Sequence, residues 1–313
     1  MNLSVGTDVV QLVQQFIRDQ VVNAVDGPGG ASDWDFEKDP GDPGLMGPDS
    51  IAWRVHADFP ATLVGGVAAL MLQTLHPLAM AGVDDHSGYL DDPFRRLRRT
   101  GAFVATTTYA SAPVAHAHIE VVKRVHSKVV GVAPDGRAYQ ANDPELLCWV
   151  HTCEMTQFLA GYQRYAHRRL SGDECDQYLR EVAVVPYALG APWVPTSRAE
   201  VDDYFLRVRP QLFLGSQAKR TMKFLLGNPG RTPFESLVFA HVSNAACALL
   251  PNWAASMLKL QTRRALEPIT TRGTTLGLME LLRWGLGAHE QVRDVALRRA
   301  LGDVSADQAS VEI

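Results

Sequence analysis

The stretch RRLRRTGAFVATTTYASAPVAHAHIEVVKRVHSKVVG, residues 95–131, decides the fold class. It contains two helix-like runs. The first carries Arg96, Arg99 and Thr100 at i, i+3 and i+4. The second carries His126 between Ile119, Val122, Val129 and Val130, at offsets of −7, −4, +3 and +4. Residues three, four and seven apart share a helical face. The spacing therefore predicts a helix opened by Ser111 and Pro113, ended by Gly131, with an imidazole in the middle of its apolar stripe. Burying that ring is costly unless something uses its nitrogen. A cofactor metal is one such user and a backbone carbonyl is the ordinary one. Periodicity leaves both open.

Upstream, Val9, Leu12, Val13, Phe16, Ile17 and Val21 share a face and predict an amphipathic helix over residues 8–25. Residues 26–50 are dense in Gly, Pro and Asp and read as an irregular arm, laid across the body by Trp34, Phe36 and Leu45. Asp49 or Ser50 can cap the run that follows. From Pro60 to about His76 a core helix contains Gly65-Gly66 and several alanines, small residues that let another helix approach closely. Pro77 ends it, VDDHSGYLDD reads as a polar loop, and Asp92-Pro93 starts the arginine helix as N-cap and N1.

Downstream, Pro134-Asp135-Gly136 separates two short β-like runs, a hairpin signal. Asp143-Pro144-Glu145 opens a helix through Leu170, with Leu147, Val150, His151, Glu154 and Phe158 on one face. Ser171 with Glu174 and Ser197 with Glu200 match the capping box. Apolar-periodic segments follow at 217–227, 233–250, 252–266 and 275–286, then a polar, Arg-rich helix near 288–301 and a frayed tail over 303–313. With no βαβ alternation and no internal repeat, the expected architecture is all-α: one multi-helix domain spanning 1–313, with a small β-hairpin and a pocket between helices.

Composition narrows the function. A hydrophobic content of 46% and a charged content of 20% are those of a globular chain. A net charge of −4 with short, scattered basic runs gives no reason to expect nucleic acid. Cys148, Cys153, Cys175 and Cys247 form no C-x-x-C pair and read as buried thiols. The N-terminus lacks a basic n-region, an unbroken apolar core and a twin-arginine pair, so a cytoplasmic location is expected. The most apolar stretch, Phe59 to Val83, is interrupted by Gln73, Thr74 and His76 and falls short of the roughly 20 residues a membrane span needs.

Dinucleotide, Walker, nucleophile-elbow and H-E-x-x-H motifs are missing, as is E-x-x-H. An all-α chain without them retains few routes to catalysis. A haem pocket is one, because haem brings its own reactivity and asks mainly for an axial ligand and an apolar slot. Among the ten histidines, His116 and His118 near a helix start, His167 beside two arginines, and His289 read as exposed. His56 and His241 read as satisfied or solvated. His76, His86, His126 and His151 remain as candidates, and His126 has the most apolar helical neighbours. Arg96 and Arg99 suit haem propionates or a bound oxygen species, with Thr100 adding a hydroxyl; the alternative is a solvated basic face. A non-haem metal site from His76, His86, His126 and Asp85 is a further arrangement.

Three segments, GPDSIAWRVHADFP (47–60), LQTLHPLAMAGVDDHSGYLDDPFRRLRRT (72–100) and VHSKVVGVAPDGRAYQANDPELLCWVH (125–151), resemble the family that includes rubber oxygenase (latex clearing protein) and the fungal oxygenase of mycophenolic acid biosynthesis. The resemblance spans about residues 45–170 and thins beyond, where Leu249 to Pro251 is the main trace. It implies an all-helical fold, one haem b, and oxidative cleavage of an alkene with O2. It places His126 as the proximal iron ligand and metal contact. Arg96, Arg99 and Thr100 match an R-x-x-K-T pattern on the distal side, with Arg99 in place of lysine. A guanidinium effectively cannot lose its proton to coordinate iron. The resemblance also implies a distal glutamate that Leu72 to Leu90 lacks, for which Asp84, Asp85 or His86 can stand in. In the haem reading His76 and His151 are expected to support or line the pocket. The expected partners are a small apolar substrate, possibly isoprenoid, and O2; an oligomer stays open. The other readings are a peroxide-using haem oxidase or hydroxylase and a non-enzymatic helical binder of apolar ligands.

Overall fold

A computed structural model describes residues 14–15, 34–86, 88, 93–227, 232–286 and 291–302, and the side chains of 93–97, 268, 270 and 291 lie outside that description. The helix expected over 8–25, apart from helical Gln14-Gln15, also lies outside it, as do Asp92, His289 and the tail from 303. The order of elements is α1 (Ile51–Ala57), α2 (Phe59–Gln73), α3 (Pro77–His86), α4 (Pro93–Tyr109), α5 (Ala112–His126), β1 (Val130–Val132), β2 (Ala138–Gln140), α6 (Pro144–Tyr165), α7 (Gly172–Val182) and α8 (Val184–Leu189). Then come α9 (Arg198–Val208), α10 (Ser216–Leu226), α11 (Pro233–Leu249), α12 (Asn252–Met257), α13 (Gln261–Thr270), α14 (Arg272–Leu286) and α15 (Gln291–Ala300). The fold is all-α with one two-stranded antiparallel hairpin.

Its centre is the crossing of α2 on α6. Gly65 and Gly161 face each other's helices there: a Cβ on Gly65 would sit 2.6 Å from the Gln157 carbonyl, and one on Gly161 would overlap the Ala61 carbonyl. The small residues of α2 thus serve close helix packing. Around the crossing Val64, Met71, Leu72, Trp149, Phe158 and Tyr178 form one buried core with residues of α11 and α12. No single helix among the described residues is long and apolar enough to cross a membrane; α1 and α2 reach that length together but bend by 90°. Asp58 occupies the bend, accepting from Ala61 N and from Arg283 of α14 at 3.0 Å.

The arm is tied down, as Trp34 and Phe36 suggest. Phe36 is buried with Trp53, Tyr109 and Val114. Arg299 departs from the expected polar terminal helix: its side chain is 2% exposed and donates to the carbonyls of Phe36, Asp42 and Tyr109. Its guanidinium thereby fastens α15 to the arm and to the end of α4.

Outside the α4–α5 hairpin, three boundaries differ from expectation. Val83–His86 form the last turn of α3 instead of a loop. The helix from Pro144 stops at Tyr165, and Leu258–Leu260, with Lys259 at φ 60°, splits the expected 252–266 helix. Ser171 and Glu174 make a full capping box; at Ser197 half of it is made, because Glu200 accepts from Thr196 instead. The four cysteines are buried free thiols.

Candidate functional site

Helices α4 and α5 form an antiparallel hairpin turning through Ala110-Ser111. Its closed end is built in. Thr106 to Ser111, Val114 and Ala115 are buried, and Thr106 and Thr107 return their hydroxyls to the carbonyls of Ala102 and Phe103. Ser111 makes no side-chain cap to α5. The arm supplies the cap instead: Asp42 accepts from Ala112 N at 2.9 Å, and Asp39 accepts from Ser111 Oγ at 2.7 Å. A carboxylate at this end also suits the helix dipole.

The ring of Phe103 meets His118 edge-on at 5.2 Å, which sets the register of the two helices. His118 is half-buried, not exposed as its position near a helix start suggests, because Trp34 of the arm stacks on its other face at 4.2 Å. Burial lowers its pKa. Continuing that register at 1.5 Å per residue, Arg96 and His126 both lie about 20 Å from the turn, at the hairpin's open end. Between the two ends Phe103, Val104, Ala105, Val121 and Val122 are half-buried, Val104 and Ala105 against the two hydrophobic cores.

His126 does not stand in mid-stripe. It is the last residue of α5, half-buried, with Nδ1 shielded from solvent. Val129 and Val130 are not helical: Ala141 N donates to the Val129 carbonyl, and Val130 is paired with Gln140 and is 52% exposed. The helix therefore ends before Gly131, which belongs to β1, where a Cβ would collide with the Tyr139 ring. Of the arginine set, Arg99 is exposed, Thr100 is half-buried and the Arg96 side chain lies outside the described residues. Sequence reasoning passed over Arg98, which is half-buried with Nη1 shielded from solvent.

The other histidines separate clearly. His86 is exposed at the end of α3, with Nε2 3.3 Å from the Val130 carbonyl, while neighbouring Asp85 accepts from the Tyr139 hydroxyl. The pair fastens the β-hairpin to α3. Burial, together with that carboxylate, pushes the Tyr139 pKa up to about 12. Asp84 turns the other way, accepting from Arg220 and Gln217 of α10. His76 is 3% exposed and caps α3, its Nδ1 accepting from Ala79 N at 3.4 Å. That bond places the ring proton on Nε2. Burial above all, with the Arg137 charge, drives its pKa down to about 4.

His56 is buried with both nitrogens used, by Thr108 Oγ1 at 2.8 Å and the Tyr178 hydroxyl at 3.0 Å. His151, on α6, is the exception. It is 9% exposed and neutral, its pKa pushed down to about 3 by burial. It makes no hydrogen bond, ion pair or ring contact among the described residues.

His116 and His167 are exposed as expected, and His241 bonds the Leu237 carbonyl. Among the described residues no three His, Cys, Asp or Glu side chains converge on a metal position, which removes the arrangement of His76, His86, His126 and Asp85. A surface cleft of about 300 Å³, lined by Arg54, Asp58, Pro60, Tyr162 and Arg283, includes none of the candidate residues.

Residues 53–300 match the family described as "ER-bound oxygenase mpaB/B'/Rubber oxygenase, catalytic domain". No curated protein and no solved structure matches the chain.

Proposed function

Since the chain belongs to the family of the mpaB and rubber oxygenase catalytic domain, we propose that it is a haem-b-dependent oxygenase that acts with O2 on a small apolar substrate in the cytoplasm. The observation that carries the reading is the open end of the α4–α5 hairpin, where His126 ends one helix at the height of the arginine run on the other. Half-buried apolar side chains along the hairpin suit a flat apolar macrocycle with a metal at its centre.

In this reading His126 is the iron ligand and holds the group from the end of α5. Bound haem b supplies the O2 chemistry that the side chains lack. Arg99, exposed at the rim, meets the propionates with a guanidinium suited to bidentate pairing with carboxylates. Arg96 lies one turn nearer the mouth, and Thr100 offers a hydroxyl inside it. His76 contributes an Nε2–H donor that never carries charge at neutral pH, because burial keeps the ring neutral. His86 acts through the hairpin it fastens. Val121 and Val122, half-buried on α5, would shield one side of the bound group from water, which strengthens the polar contacts made there.

The test is reconstitution of the purified chain with haem. A stoichiometric Soret-absorbing complex that is lost in His126→Ala supports the assignment. A colourless wild-type protein with bound apolar ligand points to a helical binding protein instead. Product analysis with O2 against H2O2 then separates oxygenase from peroxide chemistry.

A further inference from the structure

We infer that the cleft at the bend between α1 and α2 binds a small monocarboxylate with an apolar body, at a site separate from the α4–α5 hairpin. The two helices meet at 90°, and the cleft of about 300 Å³ lies among that bend, the end of α6 and the end of α14. Its size is at the lower limit of the roughly 300–1,000 Å³ typical of small-molecule pockets. Ala57, Pro60, Ala166 and Leu286 give it an apolar lining, and Arg54, Tyr162 and Arg168 supply polar groups.

The charges in the cleft are unevenly paired. Arg54 and Arg168 both donate to one oxygen of Glu174, Oε1, at 2.8 and 3.4 Å. The other oxygen is taken by Ser171 N in the capping box of α7. Two guanidiniums therefore share one carboxylate, and neither makes another hydrogen bond among the described residues. Arg283, in contrast, is spent on Asp58, Glu280 and the Tyr165 carbonyl. Tyr162 lies where the surplus acts. It is 6% exposed, yet its hydroxyl has no hydrogen-bond partner among the described residues. Burial raises its pKa against the pull of the Arg54 and Arg168 charges, so the hydroxyl keeps its proton at neutral pH. One O–H and the unspent N–H groups of two guanidiniums thus form a donor set that lacks an acceptor. A carboxylate accepts from all of them, and guanidinium pairs with it in charge-assisted hydrogen bonds. A single negative charge matches the surplus, whereas a dianion would also meet the carboxylates of Asp58 and Glu174. The apolar lining takes the remainder of the molecule.

Isothermal titration calorimetry of the full chain with octanoate, octanol and inorganic phosphate is the test. Octanoate is expected to bind at one site per chain, and octanol and phosphate at least tenfold more weakly. Tyr162→Phe keeps the ring and removes a hydroxyl that bonds nothing in the protein, so Tm stays unchanged while octanoate binds about tenfold more weakly. Arg168→Gln, at an exposed side chain, has the same effect. Failure of octanoate to bind, octanol binding as tightly as octanoate, phosphate binding alone, or an octanoate affinity unchanged in both variants overturns the inference. Haem binding through His126 is independent of each of these results.

Discussion

The crossing of α2 and α6 allows one substitution to be tested with opposite signs in one chain. At Gly161 an added Cβ would overlap the Ala61 carbonyl, and at Gly65 it would lie 2.6 Å from the Gln157 carbonyl and 2.8 Å from Phe158 Cα. Both obstacles are backbone, so relief requires two buried helices to part. Alanine gains about 1 kcal/mol over glycine inside a helix. Overpacking a close-packed core costs about 1–3 kcal/mol, and backbone clashes lie at the upper end. The net effect expected of Gly161→Ala is a loss of about 2 kcal/mol. For a chain of 313 residues, an unfolding entropy of about 2.1 cal/mol/K per residue turns that into a Tm about 3 °C lower. Gly277 of α14 is the control, because a Cβ there meets nothing within 4 Å. Gly277→Ala keeps only the propensity gain and raises Tm by about 1.5 °C. Differential scanning calorimetry of both variants is the assay. A Gly161→Ala protein as stable as the wild type would refute the packing argument.

Two further outcomes follow from the arm and from buried histidine. Asp42→Ala removes the acceptor for Ala112 N and Gly44 N, and a lost helix cap costs about 1 kcal/mol; an unchanged urea midpoint would show that α5 does not depend on the arm. His56 has its pKa pushed by burial from 6.5 to about 4, so the unfolded chain takes up a proton first as pH falls. Stability is complete above pH 6.5 and declines toward pH 4, by at most roughly 3 kcal/mol from this group. Tm measured from pH 7.5 to 4 should fall less steeply in His56→Gln, and parallel curves would contradict the assignment.

The fold class was legible from local patterns because most elements announce themselves within a few residues. Pro113, Pro144 and Ser171 each open the helix they mark, and Asp135-Gly136 turns the hairpin. The site was legible only in part. The valines at 129 and 130 fit a helical stripe and a strand equally well. Pairing with Ala138–Gln140 settles them as hairpin, which leaves His126 at a helix end instead of in mid-stripe. The hairpin signal implied as much, because the β-like run VGVA before Pro134 already begins at Val130 and that residue cannot belong to both elements. His118 and Arg299 were misread for another reason. Trp34 buries the first, and the carbonyls of Phe36, Asp42 and Tyr109 surround the second. These partners are distant in sequence and leave no periodic trace. The same holds for Gly65: a close approach was evident from its size, but not that Gly161 would answer it.

The central claim is that His126 holds a haem at the open end of the α4–α5 hairpin. Titration of the purified chain with haem, followed through the Soret band, tests it most directly. The account predicts saturation at one haem per chain in the wild type, and loss of the complex in His126→Ala with helical content by circular dichroism unchanged. A wild type that binds no haem, or a His126→Ala protein that binds it with the same affinity and spectrum, would contradict it.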